Sequence, residues 1–226
     1  MAEKAYPAPL TLKPGAEVQP MTAHRVLVVS ACSKRKLGDR KSDRRSDLLL
    51  PARERYAGRA HCQVREAIDR WRGSSTQDHI EWSIVSARFG LVGEMAQVPL
   101  YEETITGKSP GAARRRGLEL ALPSGLRTQL GAFDTAVFVL PLVYLQAAGA
   151  PFEVPATQLY FASPQVNRGF GKAVVVPCGT DAARDLGVSP RDVAASQFAS
   201  FVDDAVEQGL NAALGVWGVC GEGSRA

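Results

Sequence analysis

The stretch VSACSKRK, residues 29–36, sets a thiol, two hydroxyls and three positive charges at the end of an apolar run. Cys32 stands between Ser30 and Ser33, and Lys34, Arg35 and Lys36 follow. Lys34 and Lys36 can supply point charges to a phosphate, and Ser33 and the backbone N–H groups can add hydrogen bonds. A solvated basic turn would have the same composition. A thiol flanked by basic residues is a nucleophile or a redox sensor if its proton leaves easily. A small cysteine buried at a strand end is the commoner case. The loop is not a Walker A sequence, since no GxxxxGK[ST] occurs, and no GxGxxG stands at a strand end.

A second polar cluster is SARFG, Ser86 to Gly90. Arg88 can clamp an anion, Phe89 offers a stacking face, and Gly90 allows a sharp turn or a close ligand approach. A strand end with a structural phenylalanine is the alternative. Tyr101, Glu102 and Glu103 come next, and a carboxylate there can serve as general acid or base or hold a ribose hydroxyl. The three histidines (His24, His61, His79) are scattered and do not pair with carboxylates at ligand spacing. The four cysteines form no CxxC, which argues against a structural zinc site. No metal and no cofactor is expected.

These clusters need a scaffold that brings strand ends together. RVLVVSA (25–31) has the continuous apolar character of a parallel strand buried on both faces. HIEWSIVSARFG is the next strand, with Trp82, Ile84 and Ser86 on one face; DTAVFVLP is a third, TQLYFA an edge strand and KAVVVPCG a further one. Pro51 fits the first turn of a helix running on to Arg72, with Gly58 as a point where it can split. Residues 91–110 read as loop, 111–130 as a helix interrupted at Pro123, LVYLQAAGA as a short helix, and 191–214 as the last helix. Strands alternating with helices predict a three-layer α/β sandwich with a mostly parallel central sheet, Rossmann-like. In such sheets ligands sit beyond the carboxyl ends of the strands, where both polar clusters fall.

Composition bounds the rest. Of the 226 residues, 45% are hydrophobic and 22% charged, ordinary for a globular chain. Residues 1–23, with four prolines and little periodicity, read as a disordered leader without the apolar core of a secretory signal. Residues 24–215 read as one α/β domain, the part from 173 onward as a C-terminal extension, and 216–226 as a flexible tail. No apolar run is long enough to span a bilayer. A cytoplasmic location is expected, and the oligomeric state is left open. The net charge of +4 is uneven: residues 34–72 hold 13 Lys or Arg against 6 Asp or Glu, and the rest of the chain is net acidic. That excess suits a nucleotide or nucleic-acid partner, or simply a solvated basic face. SDRRSD (42–47) is either a phosphate-contacting segment or a surface loop.

The order of motifs resembles a known family. VSACSKRK at 29–36, PARERY at 51–56, WSIVSARFGLV at 82–92 and VPLYEETI at 98–105 are similar to the successive motifs of a widespread bacterial and phage domain-of-unknown-function family with a SAKYGL-type signature. AVFVLPLVYLQ at 136–146 looks like that family's next strand and helix, so the resemblance covers residues 25–172. A more distant similarity is to the central domain of archaeosine synthase, which serves tRNA 7-deazaguanine modification and is related to the uracil-DNA-glycosylase-like fold. This chain has no Lys-Pro-Tyr after Cys32 and no paired histidine, so lysine transfer is not carried over. The resemblance adds Arg53 and Tyr56 of PARERY to the expected site. It implies that Cys32, Lys34 and Lys36 line a nucleobase or nucleotide pocket.

The expectation is therefore an enzyme, a hydrolase that processes nucleotides or nucleobases by cleaving or exchanging an N-glycosidic bond. Cys32, Glu102 and Glu103 are its candidate catalytic residues. Ser30, Ser33, Lys34, Lys36, Arg53, Tyr56, Ser86, Arg88, Phe89, Gly90 and Tyr101 are its candidate binding residues. The competing expectation is a non-catalytic nucleic-acid-binding protein using the basic 34–72 region.

Overall fold

The computed structural model describes residues 23–39, 47–163 and 173–222. The leader and most of SDRRSD lie outside the described residues.

Strand β1 (Arg25–Ala31) is the centre of a six-stranded sheet. It pairs in parallel with β3 (His79–Ser86) on one side and β6 (Thr135–Val139) on the other, with Val28 opposite both Trp82 and Val137. β7 (Thr157–Ala162) and β8 (Val174–Pro177) extend the parallel sheet beyond β6. β4 (Gly90–Gly93) folds back antiparallel on β3 and forms the other edge, so the order is β4-β3-β1-β6-β7-β8. A separate two-stranded ribbon joins β2 (Leu50–Pro51) to β5 (Gln97–Val98).

The apolar run of β1 is buried on both faces, and each face has its own helical layer. Val26, Val28, Trp82, Ile84 and Phe161 meet α2 (Arg59–Arg72) and α7 (Val193–Gln208) through Val64, Ile68, Trp71, Phe198 and Phe201. Leu27, Val29, Phe138 and Tyr160 meet α4 (Leu122–Leu130) and α5 (Leu142–Ala148) through Leu122, Leu126 and Leu145. α3 (Pro110–Glu119) lies so close to α5 that a Cβ on Gly117 would stand 1.8 Å from the Ala147 carbonyl oxygen. This is the expected three-layer α/β sandwich. No helix among the described residues is long and apolar enough to cross a membrane.

Several elements differ from the sequence expectation. TQLYFA is not an edge strand, because β7 is paired on both sides. Its one polar inner residue, Gln158, is satisfied by both backbone groups of Phe152, which removes the cost of burying an amide there. The segment expected as loop after residue 90 contains β4 and β5. The helix after Pro51 does split at Gly58, into α1 (Ala52–Arg55) and α2. Only glycine fits there, since a Cβ would lie 2.6 Å from that of Ser33. The 111–130 helix breaks at Ala121, which is left-handed at φ 52°, and Pro123 sits in the first turn of α4 where proline is tolerated. The last helix is two, α7 and α8 (Leu210–Glu222), divided at Gly209 and preceded by α6 (Thr180–Asp185). α8 runs into the glycine-rich stretch expected as a tail, and Trp217 there packs on Phe161 and Phe201.

Candidate functional site

The chain leaves β1 to build β3 on one side, then crosses to build β6 on the other. Loops diverge at such a switch point and open a crevice at the carboxyl ends of the strands. Cys32 stands at this point, one residue past β1, its N–H bonded to the Val85 carbonyl at 3.0 Å. Its Sγ lies 3.4 Å from the Oη of Tyr144, carried by the first helix after β6.

A chain of buried hydroxyls begins at the end of β3. The Ser86 Oγ accepts the N–H groups of Arg88 at 3.3 Å and Phe89 at 3.1 Å. With both lone pairs engaged, its hydrogen is directed at the Tyr101 Oη, 2.9 Å away. Tyr101 in turn lies 2.7 Å from the Tyr56 Oη. Burial pushes Tyr56 up to about 12, against weaker lowering by its hydroxyl neighbours. Burial and then the nearby Cys32 push Tyr101 and Tyr144 higher still. All three phenols stay protonated at ordinary pH and act through hydrogen bonds.

Lys36 is drawn into this cluster by an isolated bridge between its backbone and that of Tyr56. Only 5% exposed, its Nζ sits 4.3 Å above the Tyr101 ring and donates to the Lys34 carbonyl at 3.2 Å. Among the described residues no carboxylate lies within ion-pair distance of that ammonium; Asp39 bonds the Lys36 backbone N–H instead. Among the described residues the ammonium's contacts are this ring face and this one carbonyl, fewer than its three N–H groups can make.

The outer rim is more exposed. Arg88 and Glu103 form an ion pair at 3.2 Å, each with about half its side chain in solvent. Phe89 stands edge-on to Tyr101 with ring centres 5.3 Å apart and retains an exposed face. Glu102, Lys34 and Arg35 are exposed. The remaining expected residues hold the framework. Ser30 accepts the Trp82 indole N–H at 2.9 Å, Ser33 accepts the Gly58 N–H at 3.0 Å, and Gly90 turns the chain at φ 76°. Arg53 is held away from the hydroxyl cluster by Asp69 at 2.7 Å and Glu94 at 3.0 Å. Buried Arg55 donates to the carbonyls of Val98 at 3.1 Å, Leu37 and Leu48.

Two residues were missed in the sequence. Tyr144 hides in the apolar run of α5, and its signal was position: the first turn after a buried strand. His61, in the first turn of α2, is enclosed between Tyr56 and Trp82, with ring centres 5.5 and 5.0 Å away. Its Nε2 contacts the Arg53 carbonyl at 3.2 Å, while Nδ1 is buried without a partner. Burial lowers it to about 4, with the positive charges of Arg65 and Arg53 adding to the effect.

Among the described residues of the basic region, several arginines are paired with acids. Besides Arg53, Arg59 faces Asp192 at 3.7 Å, Arg70 faces Asp203 at 3.0 Å, and Arg72 is paired with Glu94. Among the described residues no cluster of three His, Cys, Asp or Glu side chains is arranged to hold a metal ion. Comparison of the sequence with protein-family models and with curated proteins gives no match.

Proposed function

We propose that the protein is a nucleotide- or nucleobase-processing enzyme that cleaves or exchanges an N-glycosidic bond. The observation that carries this reading is the buried Lys36 ammonium, which lacks a carboxylate partner among the described residues. A charge taken out of water is costly unless paired, so such a group favours an anionic ligand. Its surroundings suit a nucleotide: an exposed aromatic face at Phe89, hydroxyl hydrogen-bonders at Tyr56 and Tyr101, and a carboxylate at the rim.

In this mechanism Lys36 holds phosphate and Phe89 stacks on the base. The bond between C1′ and the base nitrogen breaks, and its electron pair leaves with the base. Glu103, oriented by Arg88, faces the positive charge that develops at C1′ and takes a proton from the attacking water. The hydroxyl adds to C1′, and the base anion takes up the proton that Glu103 removed from the water, so that Glu103 returns to its carboxylate form. Cys32 lines the floor beside Tyr144. Cys32 has a phenol rather than a histidine or carboxylate as its hydrogen-bond partner, so the reading does not use it as an activated nucleophile.

The test is incubation with a panel of nucleosides, nucleotides and oligonucleotides, with free base followed by chromatography. Release of one base, abolished by Glu103→Gln in a variant that melts like the parent, is the expected result. No release from any substrate would refute the reading. The alternative, a non-catalytic nucleic-acid binder, predicts salt-sensitive oligonucleotide binding without product.

A further inference from the structure

We infer that the site is built for a free nucleoside monophosphate with a terminal phosphate, and not for a phosphodiester within a nucleic-acid chain. This rests on the glycosidic reading above and names its substrate class. The first observation is the depth of Lys36. With 5% of its surface exposed and its ammonium against the Tyr101 ring and the Lys34 carbonyl, Lys36 leaves little room for a bulky group beside its charge. A terminal phosphate presents a narrow head with charge on three oxygens. An internal phosphodiester carries one charge and is flanked on both sides by sugar, so it cannot enter without dragging a second nucleotide after it.

The second observation is independent of the first. A protein that follows a nucleic-acid backbone needs a row of uncommitted cations at its surface. In the 34–72 region Arg53, Arg59, Arg70 and Arg72 each face an aspartate or glutamate, and Arg55 is buried on backbone carbonyls. Among the described residues of that region, Lys34 and Arg35 are exposed beside the site, too few to form such a row. Among the described residues of that region, four arginines are committed to acids, and Lys36 is an interior cation without a carboxylate.

Calorimetric titration of the full-length protein tests this with three probes: the 5′-monophosphates of the common nucleosides, the same nucleosides without phosphate, and a single-stranded oligonucleotide of the same bases. At least one monophosphate should bind about 10- to 100-fold more tightly than its nucleoside, as a charge-assisted contact to a desolvated ammonium implies. Its affinity should fall only slightly with salt, and Lys36→Met should erase the preference for phosphate. Should that variant fail to fold, the comparison among ligands on the parent protein still decides. Nucleosides binding as well as monophosphates would overturn the inference. So would an oligonucleotide that binds more tightly, with the steep salt dependence of several phosphate contacts. Base release, measured alongside, separates the two proposals. Release from oligonucleotides alone keeps the glycosidic reading and sinks this one. Tight monophosphate binding without release of any base keeps this one and sinks the glycosidic reading.

Discussion

His61 makes the fold sensitive to acid in a way that can be measured at one residue. Its ring is enclosed by Tyr56 and Trp82, and protonation would place a second N–H in a site where Nδ1 has no partner. Burial, with Arg65 and Arg53 adding to it, lowers the group from 6.5 to about 4. The unfolded chain therefore takes up the proton first, and stability is lost as pH falls through the window from 6.5 to 4. Each unit of that gap corresponds to about 1.4 kcal/mol, so the full effect is roughly 3 kcal/mol. The perturbation is His61→Phe, which keeps an aromatic ring between its neighbours and removes the titration. Urea unfolding of both proteins should be followed at steps from pH 7.5 to pH 4. The variant carries a constant offset for the lost contact to the Arg53 carbonyl, but the difference between the two curves should shift by roughly 3 kcal/mol in favour of the variant at the acid end. Other titrating groups cancel in that difference. Parallel curves across the whole range would show that His61 binds its proton equally well folded and unfolded, and the argument from burial would be wrong.

Three further outcomes follow from geometry. Gly117→Ala places a methyl group 1.8 Å from the Ala147 carbonyl; α3 and α5 must separate, and a thermal melt should show a loss of at least about 3 kcal/mol. Ser86→Ala strands the N–H groups of Arg88 and Phe89 and takes one of two partners from the Tyr101 hydroxyl, costing about 1–3 kcal/mol in denaturant unfolding and weakening ligand binding as Tyr101 loses that contact. Alkaline titration followed by phenolate absorbance should show Tyr56 protonated until about 12. Because the unfolded chain releases that proton first, stability should fall between pH 10 and 12, by roughly 3 kcal/mol from this residue.

The parallel core was legible because strands covered on both faces must be apolar almost throughout, and RVLVVSA and TAVFV leave no other reading. The edge was not. β4 is four residues bounded by glycines, and its strand character comes from pairing with β3 rather than from any local preference. Nor was the inner place of β7: Gln158 interrupts its apolar pattern, and nothing local reveals that Phe152 supplies both partners. At the site, Cys32, Lys36, Ser86 and Tyr101 could be found because their residue types are unusual at strand ends. Tyr56 entered through a motif resemblance. Tyr144 and His61 lie on helical faces where an aromatic residue is ordinary core material. The charge excess of residues 34–72 is plain in the sequence, but the pairing of its described arginines with Glu94, Asp192 and Asp203 is a tertiary fact, since those acids lie outside the region.

Arg55 has one more effect. A single guanidinium grips the chain at the Leu37 and Leu48 carbonyls and also at Val98. The two ends of the intervening stretch are thereby fastened to one point, whatever its length or composition. Doubling the number of residues between such anchors adds only about 0.6 kcal/mol of closure entropy. Arg55 thus ties three separate stretches of chain, at Leu37, Leu48 and Val98, to one buried charge, and its loss would release all three together.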